Sequence, residues 1–281
     1  MLKSYIKRLE RFLLARRSYK FSLHSWTPIQ DVELAADLLR TMRFGRTIEP
    51  LVLEAPRLGR ILVIAPHTDD ETIGPGGSLI KAISAGAHVT VLYITTNVPE
   101  VDSRMEATEA SRKAGYDIDF LGLSPSRIPL DAAPLLAARI TAARPDFLYI
   151  PFMLDDNNDH RRTNELLLAA SRIAPLNPQI EVWAYQVYGV VPMNVIVDIT
   201  DVAEKKADLI RCWRTQSQRR DWAHYALGMN AFNSRFLGKG PQKRFGEAFF
   251  VVPIADYVEL CDHYFAAPSR AYHPSYDAKA S

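Results

Sequence analysis

The 281-residue chain has only two cysteines, no long apolar run and no large excess of one charge. Cys212 and Cys261 are isolated and lack CxxC spacing, so we expect neither a disulfide framework nor a cysteine metal site, and a reducing, cytoplasmic location fits. No apolar stretch approaches the ~18 residues of a transmembrane helix. Charged residues between positions 7 and 11 interrupt any signal-peptide core. The net charge of +2 gives no reason to expect nucleic acid as a partner.

A buried strand is predicted over residues 61–65, which are five consecutive apolar residues without the alternation of a half-exposed strand. Pro66 ends this strand because it has no N–H group to give to the sheet. One imidazole and three carboxylates follow within positions 67–71, at the end of the strand where open α/β sheets carry their sites. A glycine-rich turn then leads into a helix predicted over 78–85.

This polar cluster has the composition of a metal site. Neutral imidazole and carboxylate suit a divalent metal such as zinc, so His67 and Asp70 are candidate ligands. Asp69 lies beside them as a carboxylate that is free to act as a general base. The alternative is a solvated acidic turn that caps the following helix.

A second polar cluster follows another strand of the same kind. Residues 146–151 form an apolar run that ends in proline, and residues 154–160 are again dense in polar side chains. His160 lies at the start of a helix predicted over 163–174 and can complete a His–Asp–His set with the first cluster. A histidine in this position, taken alone, would more often cap a helix or lie at the surface.

Alternation of strands and helices from 61 to 174 predicts right-handed crossovers and a parallel sheet. The other predicted strands are 47–55, 88–95, 118–121, 181–188, 194–199 and 249–252, and the other predicted helices are 31–42, 104–114, 132–143 and 203–218. Residues 228–246 are rich in Gly, Asn, Lys and Arg, and we predict a loop or lid over the site. We predict that the chain consists of an N-terminal helical extension over 1–57 and one α/β domain over 58–281.

Residues 1–20 carry seven basic residues and one acidic residue, and their apolar residues recur at three- and four-residue steps. This pattern predicts an amphipathic helix that could lie on an anionic membrane or bind a partner. The alternative is a helix that packs on the domain or on a second copy of the chain, with an ordinary basic outer face. Peripheral membrane contact and a homo-oligomer are therefore both expectations.

The first cluster, Pro66-His-Thr-Asp-Asp-Glu71, resembles the PHPDDE or AHPDDE signature of the LmbE/PIG-L family of metal-dependent de-N-acetylases. Further motifs of the family are Gly74-x-Gly76-Gly77, Ala85-Gly-x-His-Val89, Arg104-x-Glu106, Arg144-Pro-Asp146, Asp159-His160, Val197-Asp-Ile199 and Glu247-Ala-Phe249. The resemblance spans residues 58–252. It implies a Rossmann-like α/β fold, with a mostly parallel sheet and helices on both faces, and zinc-dependent hydrolysis of N-acetyl groups from N-acetylglucosamine-type conjugates.

The resemblance also implies roles for single residues. The metal ligands of the family map onto His67, Asp70 and His160, and its general base maps onto Asp69, which agrees with the ligand chemistry above. Where the family has proline the chain has Thr68, which we expect only to loosen the turn.

A second departure is Asn157, where the family commonly has a histidine that stabilises or protonates the intermediate. Asparagine keeps a hydrogen-bond donor that could hold the oxyanion, but it cannot titrate near neutral pH. Either Asp69 moves the proton in both directions, or another histidine enters from the C-terminal part, namely His224, His263 or His273.

We predict a small-molecule or lipid-linked amino sugar as substrate, with Asn97 and Arg104 as candidate sugar or phosphate contacts. A metal-dependent amidase for a non-sugar amide would use the same centre. A non-catalytic Rossmann-like module that binds a nucleotide or sugar is the alternative from a different class, although the glycines after the first strand lack GxGxxG spacing. A catalytically silent scaffold is a further alternative because of Asn157.

Overall fold

The structure is a computed structural model that describes residues 50–96, 100–218 and 220–266. The predicted helices at 1–20 and 31–42, and the residues Asn97 and His273, lie outside the described residues. The predictions made for them therefore stay predictions.

Eight strands of the described chain form one sheet in the order β1-β7-β8-β6-β5-β2-β3-β4. They are β1 (Leu51–Leu53), β2 (Arg60–Ala65), β3 (His88–Thr95), β4 (Asp117–Leu123), β5 (Phe147–Pro151), β6 (Glu181–Tyr185), β7 (Val195–Asp198) and β8 (Gly246–Pro253). β8 is antiparallel to both of its neighbours, whereas all other pairs are parallel. The predicted Rossmann-like, mostly parallel α/β fold is thus confirmed. Since β1 belongs to the sheet, the sheet begins before residue 58, where the main domain was predicted to start.

The described ranges contain α-helices on both sides of this sheet. They are α1 (Asp70–Ile73), α2 (Gly76–Ser84), α3 (Glu100–Ala114), α4 (Ala133–Ala143), α5 (Asn158–Ile173), α6 (Ala203–Ile210), α7 (Arg214–Ser217), α8 (Trp222–Asn233) and α9 (Ile254–Phe265). Short 3-10 turns lie at Leu130–Ala132, Thr200–Val202 and Ser234–Phe236. In this part of the chain, no helix has both the length and the apolar character that a bilayer crossing requires.

The apolar run of β2 is buried on both faces because its alternate side chains enter two different cores. Leu62 and Ile64 pack with α4, α5 and α9 on one face of the sheet. Ile61 and Val63 pack with α2, α3, α6 and α8 on the other face. A strand between two helical layers needs apolar residues at every position, which explains the absence of alternation in the sequence.

Two predictions for the C-terminal part are wrong. The single helix predicted over 203–218 is divided into α6 and α7, because the chain turns to bury Trp213, whose indole donates a hydrogen bond to the Thr72 hydroxyl (2.9 Å). The loop predicted over 228–246 is helical as far as residue 236, since buried Ala223, Ala226 and Asn230 recur at helical spacing.

Two element ends also differ from prediction. Helix α5 begins at Asn158 rather than at 163, because the Asn157 side chain accepts a hydrogen bond from the backbone N–H of Asp159 and so caps the helix. Strand β6 ends at Tyr185 rather than at 188, and the residues after it form a loop at the same edge of the sheet as the first cluster.

Candidate metal centre

The turn between β2 and α1 is fixed to two neighbouring elements. The carbonyl oxygen of Pro66 accepts hydrogen bonds from the backbone N–H (3.0 Å) and the hydroxyl (2.7 Å) of Thr95, at the end of β3. The buried Thr68 hydroxyl lies 2.8 Å from the Ser103 hydroxyl in α3, a hydrogen bond that offsets the lost proline ring. Asp69 has φ 138° and ψ −25°, a strained conformation for a residue other than glycine.

The structure brings the two polar clusters together. His67, Asp70 and His160 each offer one ligand atom, and these atoms lie within 4.8 Å of one another. The Asp70 Oδ2 atom is 3.3 Å from His67 Nδ1 and 3.1 Å from His160 Nε2. The two imidazole rings have their centroids 5.3 Å apart. The convergence expected from the sequence is therefore present.

Three buried side-chain atoms in this cluster have no hydrogen-bond partner among the described residues, namely Asp70 Oδ1, His160 Nδ1 and His160 Nε2. The two ring nitrogens lie close to carboxylates, Nδ1 to Asp155 and Nε2 to Asp70, but out of line for a hydrogen bond. A buried polar atom without a partner is costly, and a bound cation would satisfy Asp70 Oδ1 and His160 Nε2. Imidazole nitrogen and carboxylate oxygen are zinc donors, so the three residues fit a divalent metal ion.

Two further carboxylates, which the sequence analysis did not assign to the site, orient the imidazoles. His67 Nε2 donates to Asp159 Oδ2 (2.9 Å), which leaves Nδ1 directed at Asp70. His160 Nδ1 lies 3.1 Å from Asp155 Oδ1. Metal-binding histidines usually present their second nitrogen to such an acceptor. Both acids belong to the polar cluster at 154–160, so their nearness in sequence to His160 was the available signal.

These carboxylates raise the pKa of both imidazoles. Burial lowers the pKa of His67, but hydrogen bonds to Asp159 and Asp70 outweigh it and raise the pKa to about 10. Burial likewise lowers the pKa of His160, but the charges of Asp70 and Asp155 raise it to about 9. Without a metal, both imidazoles therefore hold protons at neutral pH, and a metal must displace them.

Asp69 has the environment of a proton-transfer group. Its side chain is almost buried, and its hydrogen bonds within the described chain involve the backbone N–H and C=O rather than the carboxylate. Burial, and then the charge of Asp70, raise the pKa of Asp69 well above its usual value. A carboxyl with a raised pKa can both accept and return a proton near neutral pH.

Two other predicted site residues make structural contacts. The Asn157 side chain caps α5, as described above, and its backbone N–H donates to Asp155 Oδ1 (3.0 Å). Arg104 pairs with Glu100 (2.8 Å) and lies 4.1 Å above the Phe120 ring. Their proposed contacts with the oxyanion and the sugar stay predictions.

The helix N-terminus that a nucleotide phosphate would use is already occupied. Glu247 accepts hydrogen bonds from the backbone N–H groups of Gly77 and Ser78, both 2.7 Å, at the start of α2. The buried Lys206 ammonium binds this carboxylate (2.7 Å) and the Gly74 carbonyl oxygen (2.8 Å). A phosphate would have to displace a carboxylate that neutralises a buried lysine. This arrangement argues against the nucleotide-binding alternative.

Comparison with known proteins supports the resemblance. Residues 62–171, which contain all three candidate ligands, match the family described as PIG-L: GlcNAc-PI de-N-acetylase. A 1D-myo-inositol 2-acetamido-2-deoxy-alpha-D-glucopyranoside deacetylase from Rhodococcus erythropolis is 35% identical over 83 residues, which are 28% of this chain and 28% of the relative. The match thus spans little more than a quarter of that relative.

Solved structures share the fold. An N,N'-diacetylchitobiose deacetylase from Pyrococcus horikoshii has a TM-score of 0.60 and 24% identity, with 80% of this chain and 94% of that chain covered. A 4-carboxy-2-hydroxymuconate hydratase from Pseudomonas putida has a TM-score of 0.58 and 20% identity, with 70% and 96% covered. The resemblance to the LmbE/PIG-L family is confirmed by the family match, whereas these two likenesses concern the fold alone.

Proposed function

We propose that this chain, which carries a PIG-L-type domain over residues 62–171, is a zinc-dependent hydrolase that removes the N-acetyl group from an amino-sugar conjugate of the N-acetylglucosamine type. His67, Asp70 and His160 would hold the zinc ion. When bound, the ion supplies Lewis acidity, which polarises a carbonyl group and lowers the pKa of water. The observation that carries the proposal is the approach of three ligand atoms within 4.8 Å, beside the nearly buried Asp69.

Asp69 moves the proton in this scheme. It accepts a proton from water as the water oxygen forms a bond to the acetamide carbonyl carbon. The carbon–nitrogen bond then breaks, and Asp69 returns the proton to the departing nitrogen. The products are acetate and a free amino sugar. Asp155 and Asp159 keep the two imidazoles in the orientation that this geometry needs.

The substrate class rests on the names of the relatives. The Rhodococcus protein is described as a deacetylase of an inositol-linked 2-acetamido sugar, and the Pyrococcus protein as a deacetylase of diacetylchitobiose. Since a hydratase shares the fold, the fold by itself favours no substrate. The predicted basic helix at 1–20 would suit a lipid-linked acceptor.

The test is turnover by the zinc-loaded protein against inositol-linked, oligosaccharide and lipid-linked N-acetylglucosamine conjugates, with non-sugar acetamides alongside. Free amine and acetate should appear together, in equal amounts, from at least one sugar conjugate. Asp69→Asn should lower kcat by about 10²–10⁴-fold. Asp117→Asn is the control, because Asp117 is exposed at the entrance of β4, the opposite end of the sheet from the site.

Turnover of the non-sugar acetamides alone would replace the proposal with the amidase alternative. Undiminished turnover by Asp69→Asn would contradict the role of the base.

A further inference from the structure

With asparagine at position 157, the described part of the site has no third imidazole. The other described histidines do not fill this place: His88 is exposed at the entrance of β3, His224 on α8 and His263 on α9. Among the described residues, the side chains that lie close enough together to hold one metal ion include only two histidines, His67 and His160. Within the described part of the chain, the donor that usually comes from position 157 is therefore of another chemical type, while the prediction for His273 lies outside it.

A tyrosine lies beside the candidate ligand His160. The ring of Tyr188, in the loop after β6, has its centroid 5.4 Å from that of His160. Its backbone N–H donates to Asp155 Oδ2 (3.0 Å), while Oδ1 of the same carboxylate lies 3.1 Å from His160 Nδ1. One buried carboxylate thus holds both the candidate ligand and the tyrosine in place.

Helix α8 supports the tyrosine from the other side. Trp222 packs edge-on to the Tyr188 ring with a centroid distance of 5.9 Å, and Tyr225 lies 6.5 Å away. The Tyr225 hydroxyl donates to the carbonyl oxygens of Val187 (3.3 Å) and Tyr188 (3.5 Å). These contacts fix both the ring and the backbone of Tyr188, so that its position is set before substrate binds.

The Tyr188 side chain is available to a bound substrate. It is partly buried beside His160, and it makes no side-chain hydrogen bond with any group of the described chain.

We propose that Tyr188 is a catalytic residue whose hydroxyl donates a hydrogen bond to the carbonyl oxygen of the scissile acetamide, the place that the family's histidine would take at Asn157. This inference rests on the proposed deacetylase function. As water attacks, negative charge develops on that oxygen, and a fixed donor stabilises it. Residue 188 lies outside the matched range 62–171, so the family match itself does not supply this donor.

The test compares Tyr188→Phe with Tyr149→Phe, measured on the zinc-loaded protein with the best substrate of the conjugate panel. Loss of one oxyanion donor lowers kcat about 10²–10³-fold, and we expect this for Tyr188→Phe with KM and zinc content little changed. Tyr149→Phe removes a hydroxyl from a buried tyrosine of β5 whose ring packs on Trp183 and Phe249 in the core of the sheet, so kcat should stay near the wild-type value.

A second readout uses a phosphonamidate analogue of the acetamide, which carries the anionic oxygen of the intermediate. Tyr188→Phe should weaken its binding by about the same factor as kcat, whereas binding of the amine product should not change. A Tyr188→Phe variant with wild-type kcat, or equal losses in both variants, would overturn the inference while the deacetylase function stands. A wild-type protein that releases no acetate from any conjugate would overturn the proposed function itself.

Discussion

Replacing Asp155 with asparagine would test whether the outer carboxylates hold the metal ligands in place. Asp155 is buried, and its two oxygen atoms face four groups. Oδ1 faces His160 Nδ1 (3.1 Å) and the N–H of Asn157 (3.0 Å), and Oδ2 accepts from the N–H groups of Tyr188 (3.0 Å) and Gly189 (3.3 Å). An amide has only one oxygen atom, so its NH₂ group must face one of these two pairs.

Both orientations of the amide are costly. If NH₂ faces His160, the Nδ1 atom must accept, and the ring proton moves to Nε2, which is directed at Asp70 and can then no longer bind a metal. If NH₂ faces Tyr188 and Gly189, two backbone donors lose their acceptor, at about 1–3 kcal/mol for each buried group. Loss of such an outer partner typically weakens metal binding 10–100-fold, which corresponds to about 1.4–2.8 kcal/mol.

We therefore expect Asp155→Asn to raise the zinc Kd by about 10–100-fold, measured at pH 7 by competition with a chromophoric chelator. Asp156→Asn is the matched control, because Asp156 is the exposed neighbour of Asp155, and its zinc affinity should equal that of the wild type. An unchanged Kd in Asp155→Asn, or an equal loss in both variants, would show that Asp155 does not hold the candidate ligand His160 in place.

Three further predictions concern protons, strain and the buried ion pair. Because the pKa values of His67 and His160 are raised to about 10 and 9, the stability they contribute to the metal-free protein is complete below pH 6.5 and lost as the pH rises through 9 to 10. Zinc binding at pH 7 should accordingly release about two protons. The number of protons can be measured by calorimetry in buffers of different ionisation enthalpy. Zinc binding without proton release would contradict the statement that both imidazoles are protonated in the metal-free protein. Asp69→Gly and Asp69→Ala should both lower kcat by about 10²–10⁴-fold, as expected for Asp69→Asn. The free energy of unfolding of Asp69→Gly should nevertheless be about 1 kcal/mol higher than that of Asp69→Ala, since glycine relieves the strain at φ 138°; equal stability would argue against strain. Glu247→Gln should lower the unfolding free energy in urea by about 3–5 kcal/mol, because it leaves the buried Lys206 unpaired; a loss below about 1 kcal/mol, typical of exposed pairs, would contradict this.

The strands of the sheet and the candidate metal ligands were predictable from local sequence signals. Strand β3 has the predicted bounds 88–95, and β2 extends the predicted run by one residue. A strand between two helical layers must be apolar at every position, so its run stands out in the sequence. The ligands follow these strands directly, and the carboxyl ends of parallel neighbours lie at one edge of the sheet.

The supporting groups could not be predicted in the same way. Asp155 and Asp159 act through contacts with imidazoles that chain topology brings near, and their residue type alone does not distinguish them from solvated acids. Tyr188 enters from a loop whose course depends on how strand β6 ends and on packing against α8. Helix α8 itself was missed because Gly228 interrupts its pattern, whereas tertiary contacts decide its conformation.

The most direct test of the candidate metal site is anomalous diffraction at the zinc absorption edge, from crystals of the zinc-loaded protein. We predict a single strong peak within about 2.0–2.2 Å of His67 Nδ1, a carboxylate oxygen of Asp70 and His160 Nε2. A peak bound to other residues, or no peak between these three side chains at full zinc loading, would contradict the proposed zinc site.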